Sequence, residues 1–169
     1  MSHPSEALLH PRIAAAGDTV PAVAAPALLR AAAGAFTLTV HDTLDAVETD
    51  WRRFEQTADC TVFQSFTWQS LWRKHIGGPE GVQPAIVVGR IGERIVFIFP
   101  LAIERGRLAR RLTWHAGDLG DYNAPLLAPD FAALVDRAGF LALFATIRRV
   151  LSADPRFRFD AVAFEKMPE

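Results

Sequence analysis

The residues best suited to chemistry lie in one short segment, HAGDLGDYNAPLLAPD, which occupies His115–Asp130. Within it Asp121, Tyr122 and Asn123 set an acid, a phenol and an amide side by side, and Tyr122 is the only tyrosine of the chain. These side chains can orient an amine or a sugar hydroxyl, with Asp118 as a further binding carboxylate, and Tyr122 can act as a general acid. The alternative is structural: Asp and Asn form Asx turns, and the tyrosine ring packs.

Histidine and cysteine offer further chemistry. His115 follows Trp114 at the end of an apolar run, where it can act as a catalytic base or serve as a hydrogen-bonded structural histidine. Cys60 is a nucleophile only if a histidine lies near it in space, and is otherwise a buried thiol. Because His41, His75 and His115 show no short metal-ligand spacing, we expect no metal site.

Composition limits the class of protein. The chain has 169 residues, of which 50% are hydrophobic, and a formal net charge of -1. This length supports one domain with a core. The near-neutral charge disfavours a nucleic-acid or anionic-membrane surface, so neither partner is expected. A single cysteine excludes an internal disulfide, and no apolar run reaches the roughly 18 residues of a membrane span. We therefore expect a soluble, cytoplasmic protein.

The amino-acid composition divides the chain into two regions. Residues 1–34 are rich in Ala and Pro and have few aromatic or β-branched residues, which predicts a disordered leader. A short helix within PALLRAAAG is an alternative for part of it. Residues 35–169 carry the periodic patterns of a folded domain.

The periodic patterns predict the order β-α-α-β-β-β-α-β. AFTLTV is a strand, and Leu44, Val47, Trp51, Phe54 and Ala58 form the apolar stripe of a first helix. A second helix follows Ser65 as N-cap, with Trp68, Leu71, Trp72 and His75 on one face. Three β runs come next, with an irregularity expected at Pro100. A long helix capped by Asp130 and a last strand at Phe159–Glu165 complete the order. This order indicates an α+β, three-layer fold with a mixed central sheet flanked by helices.

Two residue clusters allow both a functional and a structural interpretation. The four tryptophans can stack on carbohydrate, but their helical spacing favours the core. The arginines of ERGRLARR can meet an acidic donor or a glycan, although a solvated hairpin is the commoner role. The residues concerned are Trp51, Trp68, Trp72 and Trp114, and Arg105, Arg107, Arg110 and Arg111.

The predicted order resembles the front of the GNAT acyltransferase fold. The segments VFQSFTWQSLWRKH, FIFPLAI, LTWHAGDLGDYNAPLLAPD and FEKMPE are similar to CelD-like, FemAB-related acetyltransferases, over roughly Phe36 to the C-terminus. The resemblance implies acyl-CoA-dependent acyl transfer to an amine, with acetyl-CoA or another acyl-CoA as donor, in polysaccharide or envelope biosynthesis. Since these proteins have two tandem GNAT-like domains, the chain would be the N-terminal half, inactive alone, with a second half or a homodimer partner.

The resemblance also assigns a role to the glycines of the loop. GNAT enzymes hold the coenzyme A pyrophosphate in a turn of the type Arg/Gln-x-x-Gly-x-Gly/Ala after the fourth strand, and Gly117 and Gly120 occupy the matching place. No arginine or glutamine precedes them, and Asp118 and Asp121 would repel a diphosphate. The residues therefore favour an acceptor-side contact by Asp121, Tyr122 and Asn123 over a cofactor cradle.

Two function classes remain. The first is the GNAT-like half of an N-acyltransferase. The second is a non-catalytic binding module derived from such an enzyme, or one that dimerises through the exposed edge of its sheet.

Overall fold

A mostly antiparallel, open sheet forms the centre of the computed structural model, which describes residues 27–31 and 34–167. The strands in these residues are Ala27–Ala31 (β1), Gly34–His41 (β2), Gln83–Ile91 (β3), Arg94–Arg105 (β4), Arg110–Trp114 (β5), Leu126–Leu127 (β6) and Ala161–Val162 (β7). The α-helices are Glu48–Phe54 (α1), Phe66–Trp72 (α2), Phe131–Leu134 (α3) and Arg137–Ala153 (α4). The strand order is β1-β2-β3-β4-β5-β7, with β6 also paired to β4. The predicted α+β class with a mixed sheet and flanking helices is confirmed.

Helices cover both faces of the sheet, which explains why its central strands are apolar on both sides. Phe140 of α4 stacks on Phe99 of β4. Trp72 of α2 packs in a cluster with Ala102, three residues further along the same strand and so on its other face. The described part of the chain contains no helix long and apolar enough to cross a membrane.

The N-terminal region adds a strand that the pattern did not predict. β1 pairs antiparallel with β2, and it occupies part of the stretch for which a short helix was the alternative to disorder. That helix is wrong for Ala27–Ala31. The rest of the predicted leader, residues 1–26 and 32–33, lies outside the described residues.

The first two helices lie where the sequence predicts them, and the buried face of the first is also as predicted. Leu44, Val47, Trp51 and Phe54 are buried, as the first stripe predicts. Ser65 caps α2, because its hydroxyl oxygen accepts a hydrogen bond from the Trp68 N–H at 3.3 Å.

The face predicted for α2 is only half right. Its buried residues are Phe66, Gln69 and Trp72, while Leu71 and His75 are exposed. The helix continues as a π-helical segment, Arg73–Gly77.

The predicted long helix is broken in two. Asp130 does not cap it and instead pairs with Arg94. The chain leaves the helix at Val135, and α4 begins after Asp136, whose carboxylate accepts a hydrogen bond from the Gly139 N–H at 2.7 Å. An aspartate that can cap a new helix competes with continuing the old one, which explains the break. The last strand is likewise shorter than predicted, covering only β7.

The irregularity expected at Pro100 is not found in its pairing with β3, where Pro100 lies in register opposite Ile86. The register shift between these two strands falls between Gly89 and Arg90. On the other side the Pro100 carbonyl accepts a hydrogen bond from the His115 N–H at 2.8 Å. Since a residue in an antiparallel strand directs its N–H and C=O to the same neighbour, the donor that Pro100 lacks faces β5.

Candidate functional site

The loop that follows His115 separates β5 from β6, two strands that pair with the same side of β4. β5 pairs with β4 up to Leu101, and β6 resumes antiparallel pairing with β4 at Ile98, so the two lie along the same edge of β4. Residues 116–125 leave the sheet between them, beside the donor-less Pro100. On its other side β5 pairs with β7, and this is a parallel pair in an otherwise antiparallel sheet. The loop therefore lies at the carboxyl ends of two parallel strands, where ligands often bind in sheet folds.

Asn123 ties the loop to the segment after β7. Its amide nitrogen donates to the Gly117 carbonyl at 3.0 Å and to the Glu165 carbonyl at 3.2 Å. Its backbone N–H donates to the Lys166 carbonyl at 2.9 Å, and the Lys166 ammonium donates to the Asp118 carbonyl at 2.8 Å. Both hydrogens of the Asn123 amide are thus used by main-chain acceptors. Its role in this fold is to hold the loop.

The loop needs glycine and tolerates unusual backbone angles. A Cβ at Gly120 would lie 2.7 Å from the Asn123 side-chain oxygen, so only glycine fits without movement. Ala116 and Lys166, which flank the joined segments, have φ values of 59° and 55°. Non-glycine residues rarely adopt this left-handed region, and each costs roughly 1 kcal/mol or more. Hydrogen bonding between the two segments maintains this strained geometry.

Two buried glutamines connect the loop to α2. The Gln64 amide donates to the Tyr122 carbonyl at 2.7 Å, and its oxygen accepts from the Thr61 N–H at 2.8 Å. The Gln69 amide donates to the Phe63 carbonyl at 2.6 Å, which turns its oxygen toward His115 Nδ1 at 2.5 Å. Both glutamines lie in the segment TVFQSFTWQS, which therefore positions the loop.

His115 is an interior histidine in this arrangement. It is 1% exposed, and burial, followed by the positive charge of Arg73, lowers its pKa to about 3. Because the Gln69 oxygen is an acceptor, Nδ1 carries the proton and Nε2 is unprotonated. Nε2 is buried and has no hydrogen-bond partner in the described part of the chain. A histidine so enclosed matches the structural alternative rather than a base that meets an external substrate.

A polar groove lies beside the loop, on the face of the sheet that α2 covers. Arg111 and Thr113 share that face of β5, and Glu104 lies opposite Arg111 in register. The groove consists of two adjoining cavities of about 210 and about 240 Å³, which share Glu104, Arg111 and Asp118. The first cavity reaches Glu165, and the second reaches Trp72.

The charges of the groove are unequal. Arg111 and Glu104 form an ion pair at 2.7 Å and offset one another. Across residues 34–167, the Asp118 and Glu165 carboxylates make no hydrogen bond or ion pair with another side chain. The Lys166 ammonium, which donates to the Asp118 carbonyl, offsets one of these two carboxylates. The region of Asp118 and Glu165 therefore carries a small excess of negative charge, which attracts cations and repels phosphates.

The structure brings only some of the predicted site residues to the groove. Asp118, Gly117 and Asn123 line the first cavity, where Asn123 is occupied in holding the loop. Asp121 and Tyr122 do not line either cavity; both are exposed, Tyr122 at 55%. Gly120 packs against Asn123.

Most groove residues were not assigned to the site from the sequence; those with polar side chains are Trp72, Glu80, Glu104, Arg105, Arg111, Thr113, Trp114 and Glu165. Their proximity depends on strand register and on the parallel return of β7. Arg111 was considered as a contact for an acidic donor or a glycan and Trp72 as a carbohydrate-stacking ring, but the structural role was favoured for both. No local spacing signals this set.

Cys60 and Arg110 do not line the groove. Cys60 is half-buried, and burial, followed by the charges of Glu55 and Asp59, raises the pKa of its thiol. Of the arginine cluster, Arg110 donates to the Arg156 carbonyl at 2.8 Å. Residues 34–167 contain no group of three His, Cys, Asp or Glu side chains that could hold a metal ion.

No family model, curated protein or solved structure matches this chain.

Proposed function

We propose that this chain is a domain of a GNAT-type N-acyltransferase, related to the CelD-like and FemAB-related enzymes, and that its groove receives the acceptor amine. The observation that carries the proposal is the parallel pair β5 and β7 with a groove at its carboxyl ends. The resemblance of the sequence supplies the reaction class, and the groove supplies a place for one substrate.

The charges of the groove favour the acceptor over the donor. Within residues 34–167 the Asp118 and Glu165 carboxylates have no side-chain partner, and an ammonium near either gains roughly 1 kcal/mol at about 4 Å in water. The diphosphate of an acyl-CoA would be repelled by the same carboxylates. The residues around Gly117 and Gly120 therefore do not fit the coenzyme, and we assign these glycines to loop geometry.

Carboxylates in this position also suit the chemistry. An ammonium cannot attack a thioester, so the acceptor must lose a proton before the new carbon–nitrogen bond forms. A carboxylate that binds the ammonium can accept that proton as well. Tyr122, with its side chain exposed and outside both cavities, has no assigned part in this step.

The test is transfer itself. The protein is incubated with acetyl-CoA and a set of amines comprising an alkylamine, an amino sugar and a lysine peptide, and N-acetyl products are measured by mass spectrometry. We expect product or saturable acetyl-CoA binding, with product lowered in Glu165→Gln and unchanged in the loop control Asp121→Asn. A folded protein that forms no product and binds no acetyl-CoA would contradict the proposal.

The sheet edge favours a second candidate, a non-catalytic dimerisation module. β7 pairs with β5 on one side, and no strand of the described chain pairs with its outer side. Ala161 and Val162 are both exposed there. An open edge can recruit another strand. Light scattering would test this: a dimer that Val162→Lys converts to a monomer supports it, and a monomeric wild-type protein contradicts it.

A further inference from the structure

A further cavity lies at the opposite end of β4 from the groove, where α1 meets the turn between β3 and β4. Its volume is about 300 Å³, and the segment after β6 forms its third side. Asp50, Arg53 and Phe54 of α1 line it, and their spacing of three and four residues places them on one face of the helix. Pockets that hold small molecules begin at roughly 300 Å³, so this cavity has room for one small ligand.

Two polar contacts hold the sides of this cavity together. Asp50 forms an ion pair with Arg90 of β3 at 2.5 Å, which fixes α1 against the β3–β4 hairpin. The Ala128 N–H donates to the Val96 carbonyl at 2.9 Å, which fixes the segment after β6 to β4. The cavity is therefore a preformed feature of the fold, and a ligand does not have to order its walls.

Four charged side chains line the cavity, and their pairing is unequal. Asp50 is the carboxylate already paired with β3, and Arg94 forms an ion pair with Asp130. The side chains of Arg53 and Glu93 are exposed, and neither makes a hydrogen bond or ion pair with a described residue. Within the described part of the chain, the cavity therefore offers one uncompensated cation and one uncompensated anion.

The rest of the lining is mainly apolar. Phe54 and Ala128 are core residues that border the cavity, and Ile95 and Pro129 complete its apolar part. Covering these surfaces with an apolar group of the ligand removes both from water, which is favourable.

This combination selects a class of ligand. A ligand with only a negative charge is repelled by Glu93, and one with only a positive charge is repelled by Arg53. A neutral apolar molecule leaves both charges without a partner. The ligand that satisfies all three features carries a carboxylate, an ammonium and an apolar body, within the size that the cavity allows.

We propose that this cavity binds a single free amino acid with an apolar side chain. Its carboxylate lies at Arg53, its ammonium lies at Glu93, and its side chain packs on the apolar lining. The site is separate from the groove, and the inference goes beyond the proposed function because it requires neither an acyl donor nor an acceptor amine in the groove.

The experiment is a two-dimensional amide NMR titration of the ¹⁵N-labelled chain with phenylalanine, beside three matched probes. Hydrocinnamate lacks the ammonium, phenethylamine lacks the carboxylate, and glycine lacks the apolar body. We expect saturable shifts at Arg53, Thr57 and Glu93, and an affinity for phenylalanine at least threefold above that for each probe, the size expected of an exposed ion pair. Hydrocinnamate or phenethylamine bound as tightly as phenylalanine would overturn the inference, and so would the absence of saturable shifts.

Two charge-removing variants test the assignment of each end of the ligand. Arg53→Gln should lower the affinity for phenylalanine about threefold without weakening phenethylamine. Glu93→Gln should lower it by a similar factor without weakening hydrocinnamate. The exposed loop residue Asp121 lines neither this cavity nor the groove, so Asp121→Asn is the control and should bind phenylalanine as the wild type does. Thermal melts establish that each variant is folded, and wild-type affinity for phenylalanine in both charge-removing variants would overturn the inference.

The positions of the shifts distinguish this site from the groove. Phenylalanine shifts confined to Asp118 and Ala163 would place its ammonium in the groove. That result would overturn the present inference while supporting an amine in the groove.

Discussion

Asn123 offers a direct test of how the loop is built. If its amide holds Gly117 and Glu165 together, Asn123→Ala removes two hydrogen bonds at a position that is 6% exposed. Each such bond contributes about 1 kcal/mol net, so we expect the free energy of unfolding to fall by about 2 kcal/mol. In a domain of this size the melting temperature should fall by about 4–8 °C.

A near-isosteric change sharpens the test. Asn123→Asp keeps the shape and replaces the two donor hydrogens with an acceptor, which then faces two carbonyl oxygens. We expect this variant to lose at least as much stability as Asn123→Ala at neutral pH. Urea denaturation measures both, and hydrogen exchange should show faster exchange in residues 117–123 and 161–166. Variants within about 0.5 kcal/mol of wild type would refute the role we assign to Asn123.

Three further predictions concern His115, the start of α4 and the groove wall. The pKa of His115 falls from 6.5 in the unfolded chain to about 3 when folded, so the unfolded state binds the extra proton first. The free energy of unfolding therefore keeps its full value above pH 6.5 and decreases as the pH falls toward 3, by up to about 1.4 kcal/mol per pH unit. Urea titrations should show a weaker pH dependence in His115→Phe. Asp136→Ala should lower the free energy of unfolding by about 1 kcal/mol in urea denaturation, because α4 loses its cap. Asp130→Ala should leave the urea midpoint near that of wild type. Equal effects of the two substitutions would contradict the break between α3 and α4. Gly77→Ala should displace the Trp72 ring and cost about 1–3 kcal/mol, seen as a lower melting temperature with altered tryptophan fluorescence; an unchanged melt would argue against that contact.

Local periodicity accounts for what the sequence predicted well. The stripe of Leu44, Val47, Trp51 and Phe54 is a property of one helix, and Ser65 caps the next helix through a contact three residues away. The apolar run through β4 identified a central strand by its composition alone. In each case the deciding interaction lies within a few residues, where spacing carries the information.

Departures arise where a distant partner decides the outcome. Gln69 is polar and lies outside the predicted apolar stripe, yet it is buried because His115 and the Phe63 carbonyl satisfy its amide. Asp136 outcompetes Asp130 as a cap because the chain turns at Val135. Gln69 shows that burial of a polar group follows from its partners, which a single sequence does not reveal.

The sequence predicted where the candidate site lies but not which residues line it. Asp118 borders the groove, while Asp121 and Tyr122 face solvent. Glu165 reaches the groove only because the chain returns parallel to β5, and Glu104 only because it is in register with Arg111. Pairing register between distant strands therefore decides the chemistry of this surface.

The central claim is that the cavity lined by Asp118 and Glu165 receives an amine. The most direct measurement is a two-dimensional amide NMR titration of the ¹⁵N-labelled chain with glucosamine as an amine probe. We predict saturable shifts for Thr113, Asp118 and Ala163, which line the cavity of Asp118 and Glu165. Shifts absent from these positions, or clustered elsewhere on the protein, would contradict the account.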